Sequence, residues 1–134
     1  MKRKFVCFIF IYVVTLTGCS SESPSRLRLS GEITFDGNPI PFGEVLLTPD
    51  GSKGNTGPQG IAPIRDGRYD TSASDAKGYA GGPTIMRVTG FASPGGQLLC
   101  EYELKADLPR KDSTHKIDVP KDGGVAPNAK KSEI

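Results

Sequence analysis

A chain of 134 residues suits a single domain. Its 17 Lys and Arg exceed its 15 Asp and Glu, giving a net charge of +2, but residues 1–18 hold three of the bases and no acid, which leaves 14 bases against 15 acids from position 19 onward. So balanced a domain lacks the clustered cationic surface that phosphate backbones demand, and nucleic acid is excluded as a partner.

Lys2, Arg3 and Lys4 precede an uncharged apolar run from Phe5 to Leu16. A basic start, a short apolar stretch and small residues before a cut describe an export signal over residues 1–18. The run rises only about 18 Å at ~1.5 Å per residue, well short of a ~30 Å hydrocarbon core, so it is not a stable membrane span.

Leu16-Thr17-Gly18-Cys19 has the form of a bacterial lipobox. The Cys19 thiol is the nucleophile that takes a diacylglycerol as a thioether. Small residues at 17 and 18 admit the extended backbone to the processing enzymes, and cleavage after Gly18 frees the Cys19 amine. One acyl chain binds a membrane marginally, whereas two or three hold it durably. The expected location is therefore the cell envelope, anchored through the Cys19 lipid. Ser20 at the next position resembles the sorting pattern for an outer membrane. Ser20 to Arg26 is polar, Ser-rich and free of aromatics, a tether with a span of roughly 15 Å.

From Leu27 the pattern alternates. Leu27, Leu29, Gly31, Ile33 and Phe35 share one face, as in a half-buried strand, and Asp36-Gly37-Asn38-Pro39 turns the chain. A second strand spans 43–48 with Val45 and Leu47 inward. A Gly-rich loop covers 50–60, and a short strand at 61–64 reads as an edge because of Pro63. Asp66-Gly67 signals a hairpin into 68–71. Further strands follow at 84–91, at 98–104 with Cys100 on the apolar face, and at 113–119 with His115, Ile117 and Val119 together. Seven strands with no helical period predict an all-β, Greek-key sandwich over 27–120, followed by a polar, disordered tail at 121–134.

Leu29-Ser30-Gly31-Glu32-Ile33-Thr34-Phe35-Asp36-Gly37-Asn38-Pro39-Ile40, the run Gly43 to Pro49, and Asp66-Gly67-Arg68-Tyr69 resemble the opening and first hairpin of carboxypeptidase regulatory-like, transthyretin-like domains. The resemblance covers residues 27–120. It implies a seven-stranded prealbumin-like sandwich with no catalytic centre of its own, but a fold does not confer a function.

Candidate chemistry is sparse. His115 is the only histidine, and zinc needs three or four ligands. Asp112, Ser113 and His115, adjacent on an extended strand, cannot converge as a triad does. Asp66, Asp70 and Asp75 lack the order of a calcium loop. The 51–60 glycines do not form a phosphate loop, because no Gly-Lys-Ser/Thr opens a helix there. Cys7 leaves with the signal and Cys19 carries lipid, so Cys100 remains as a single thiol, by default a buried small hydrophobe. No cofactor, metal or catalytic residue is expected. Loops at one end of a sandwich often bind, which singles out Asn55, Gln59, Tyr79, Arg87 and His115 as a candidate surface. The expected role is a non-enzymatic, lipid-anchored module that meets an envelope protein or cell-wall partner. The alternative is a dimeric small-molecule carrier of transthyretin type.

Overall fold

The structure, a computed structural model, describes residues 26–123. The expected export signal over 1–18, Cys19, the expected tether up to Ser25 and the stretch 124–134 lie outside the described residues. The alternations condense into strands β1 (Leu29–Phe35), β2 (Asn38–Pro39), β3 (Phe42–Pro49), β4 (Gly60–Arg65), β5 (Arg68–Asp70), β6 (Gly82–Phe91), β7 (Leu98–Leu108), β8 (Ser113–Thr114) and β9 (Ile117–Val119). Single 3-10 turns occupy Gly51–Lys53 and Lys121–Gly123, so the first residues of the expected tail belong to the fold.

The architecture is all-β, with nine strands among the described residues where seven were expected. Two features account for the difference: the turn after β1 pairs back onto it as β2, and the expected 113–119 strand breaks at His115-Lys116. The strands follow the path β2-β1-β5-β4-β3-β6-β7, with β8 and β9 also on β1. The Leu29 carbonyl accepts the Thr71 N–H on one side of β1, and the Ser30 carbonyl accepts the His115 N–H on the other. The first strand is thus flanked by β5 and, in parallel, by the last two.

Pro63 corrects a second expectation. It lies in β4, which runs between β3 and β5 rather than along an edge. Ile61 exchanges both backbone bonds with Lys77 on the β5 side, so Pro63, two residues on, turns its missing donor into the gap before the β5 ladder begins at Ile64. A proline is tolerated there because no ladder bond is lost.

Both hairpin turns use the same device. Asp36-Gly37 and Asp66-Gly67 hold positive φ at each central residue, 49° and 76° in the first, 51° and 74° in the second, which matches the twist of the strands they join. The sheet curls around one core. Leu29 and Ile33 from β1, Val45 and Leu47 from β3, Met86 and Val88 from β6, Cys100 from β7, and Ile117 and Val119 from β9 are all buried. Ile40, just past β2, packs on Gly90 and Cys100, where an added Cβ on Gly90 would meet both side chains at 2.9 Å. The two ends of the sheet path therefore face each other.

Ion pairs decorate the outer surface. Arg28 reaches Asp70, and Arg65 reaches Asp75, each at 2.6 Å. The Arg28 guanidinium, helped by the Ser72 N–H and hydroxyl, holds the Asp70 carboxyl far below the usual carboxylate range. Arg65 lowers Asp75 in the same way, and the Thr34 hydroxyl lowers Asp118. A carboxyl depressed in the folded state adds stability above its unfolded value of about 4, and that stability drains as pH falls below it. Urea midpoints are expected to be level from neutral pH to about 5 and to drop below about 4. The Asp70→Asn variant should show a shallower drop; an identical acid limb in wild type and variant would exclude the pair as its source.

Candidate functional site

The five loop candidates do not form one surface. Asn55 is only 7% exposed. Its Nδ2 donates to the carbonyls of Gly81 at 2.9 Å and Pro83 at 2.7 Å, fastening the 50–60 loop to the start of β6. Gly54, at φ 76°, ends the preceding 3-10 turn and delivers Asn55 inward. Asn55 is a structural staple: its own buried amide is satisfied by the Gly81 carbonyl and by the Pro83 carbonyl, which also accepts the Asp50 N–H at 2.9 Å. Asn55→Ala should cost about 1–3 kcal/mol in a denaturant titration; a cost below about 0.5 kcal/mol would contradict that role.

Tyr79 is buried too, with its hydroxyl against the carbonyls of Pro109 and Lys111. Arg87 stands in the middle of β6 and pairs with Glu103 at 3.1 Å, away from the loops. His115 is half-buried between β8 and β9; its backbone N–H serves Ser30, and its carbonyl accepts the Tyr69 hydroxyl. Gln59 alone remains exposed on a loop, its amide donating to Thr48 Oγ1 at 2.9 Å.

The neighbours of His115 are committed elsewhere. The Asp112 carboxylate accepts the Arg28 backbone N–H at 2.8 Å, and Ser113 Oγ lies 3.1 Å from the Tyr79 hydroxyl. Among the described residues, no three His, Cys, Asp or Glu side chains converge as metal ligands would. Burial pushes the Cys100 thiol up from its ordinary pKa, which leaves it a poor nucleophile.

The structure instead brings together the outward face of β3, β4 and β6. Phe42 pairs across strands with Phe91, and Leu46 lies beside Ile61. Pro63 and Ile85 extend the row. All six side chains are half-exposed, although their strands already bury the opposite face. A shallow hollow of about 230 Å³ is lined by Phe42, Glu44, Ile61, Pro63, Arg65, Asp75 and Phe91. Glu44 stands between Phe42 and Leu46 on β3, and Arg87 stands between Ile85 and Phe91 on β6, opposite Leu46 and paired with Glu103 of β7. An apolar face interspersed with charges of both signs has the composition of a protein-binding patch.

The signal for this face was present in the sequence. Phe42, Leu46, Ile61, Ile85 and Phe91 occupy positions that a strand with a wetted outer face gives to polar side chains. Compared with protein-family models and with curated proteins, the chain matches none.

Proposed function

We propose that this protein is a non-catalytic, lipid-anchored module of the cell envelope that binds a partner protein through the outer face of β3, β4 and β6. The anchor rests on Leu16-Thr17-Gly18-Cys19 behind its basic and apolar leader. The binding role is carried by one observation, the half-exposed strip from Ile85 to the Phe42–Phe91 pair. Its partner presents apolar side chains of its own, interspersed with charges that meet Glu44, Arg65 and Arg87. The sandwich supplies a rigid frame, and the lipid confines the encounter to two dimensions, which raises the effective concentration.

Photo-crosslinking from Leu46 in intact cells tests this directly. A discrete crosslinked protein is expected, and Phe91→Asp should reduce its yield at least tenfold without moving the urea midpoint, as loss of a central aromatic contact does. Equal yields from Leu46 and from Lys116, on the far side of the domain, would refute a specific face. A stable dimer carrying a small molecule in native mass spectra would instead favour the carrier. Intact mass of the same material should show Cys19 as a lipidated N-terminus.

A further inference from the structure

The near neutrality of the domain conceals an uneven distribution of charge. β1, β4, β6 and β8 begin at one end of the sandwich, where β3, β5 and β7 finish. This end also holds Arg26, the first described residue and the point where the tether enters. Arg26, Lys53, Lys77, Lys105, Arg110 and Lys111 all lie at or beside it, and all are exposed. The ion-paired cations are others: Arg28, Arg65, Arg68, Arg87 and Lys116 each meet a carboxylate among the described residues, while none of those six does.

The carboxylates at the same end are engaged locally. Asp50 accepts the Ser52 N–H and hydroxyl. Asp70 binds Arg28, whereas Asp75 reaches away from this end to Arg65 at the finish of β4. Asp112 accepts the Arg28 N–H, and Asp107 shares a strand face with Lys105. At the opposite end, the turns carry Asp36, Asp66 and Asp122 against the single cation Lys121, all four outside any ion pair among the described residues. The long axis of the domain therefore runs from cationic to anionic, and the tether leaves from the cationic pole.

We infer that this pole is a membrane-seating surface, in which Arg26, Lys53, Lys77, Arg110 and Lys111 rest on the phosphates of anionic lipids. The inference rests on anchoring through Cys19. Only six residues separate Cys19 from Arg26, so the expected tether keeps the pole within reach of the headgroups. Surface attraction decays over about 8 Å at physiological salt, so it acts only on a domain held that close. Arg110 is itself positioned: its guanidinium lies across Gly82, where an added Cβ would stand 2.6 Å from one of its nitrogens. With this pole down, β1, β3 and β6 stand upright and the apolar strip faces sideways along the membrane, open to a neighbouring protein.

The test uses purified lipidated protein in vesicles of phosphatidylcholine alone or with three-tenths phosphatidylglycerol, labelled briefly with an amine-reactive ester. In the anionic vesicles Lys53, Lys77 and Lys111 should be labelled at least threefold more slowly than in the neutral ones, while Lys116 and Lys121 keep their rates. Half-molar salt should abolish the protection, and Lys77→Glu with Lys111→Glu should remove it from Lys53. Equal labelling in both vesicle types, or protection at both ends, overturns the seating. Intact mass separates the two levels: a lipidated protein without protection defeats only the seating, whereas an unmodified Cys19 defeats the anchor and the seating with it.

Discussion

Gly31→Ala is expected to cost about 3 kcal/mol and Gly31→Val more, enough to leave a domain of ordinary stability largely unfolded. Gly31 lies in β1 opposite Tyr69, with β8 and β9 on the other side. A Cβ there would sit 2.1 Å from the His115 carbonyl oxygen, 2.8 Å from its carbon and 3.3 Å from the Tyr69 ring. The nearest atoms are backbone, so relief requires moving a strand. The Tyr69 ring crosses this position to donate its hydroxyl to the same carbonyl, and a side chain at 31 would break that bond as well. Urea titration gives the cost. A Gly31→Ala midpoint equal to wild type would mean that the chain near His115 does not lie against β1.

Tyr79 carries the second large effect. Its backbone pairs with Leu27, and its ring is 1% exposed. Its hydroxyl lies 2.8 Å from the Lys111 carbonyl and 3.1 Å from Ser113 Oγ, and it also bonds the Pro109 carbonyl. One side chain thus joins the chain's entry into β1 to the β7–β8 connection. Tyr79→Ala should cost about 3–5 kcal/mol through the cavity it leaves, and Tyr79→Phe about 1–2 kcal/mol through the hydroxyl alone. Comparing the two in one denaturant series separates packing from hydrogen bonding. Equal costs would assign the whole effect to the hydroxyl, and a negligible Phe cost would remove it.

Local pattern in the sequence foretold most strands, because alternation is a property of neighbours along the chain. Val45 and Leu47, Met86 and Val88, and Ile117 and Val119 are buried as their period requires, and both Asp-Gly pairs turn as their backbone freedom allows. Pairing was not legible in the same way. That β9 lies parallel to β1 depends on contacts more than 80 positions apart, to which no residue near Ile117 points. Asn55 and Tyr79 misled for a related reason. A polar residue in a glycine-rich loop reads as exposed, whereas this loop folds inward and its Asn55 amide bonds carbonyls at the distant start of β6. Among the candidate site residues, Gln59 and Arg87 stay exposed, one on a loop and the other in mid-strand, and the apolar face lies where its members break the polar side of the alternation.

The union of β1 with β8 and β9 also sets the order in which the domain can form. Of the described strands, β1 is synthesised first and must wait for residues 113–119 before its second flank is covered. Pairing across so great a sequence separation is slow to nucleate. Under the proposed export this delay is an advantage, since β1 cannot complete its pairing while the chain is still extended. The same dependence leaves a chain truncated before Ser113 with an open β1 edge, exposed to proteolysis.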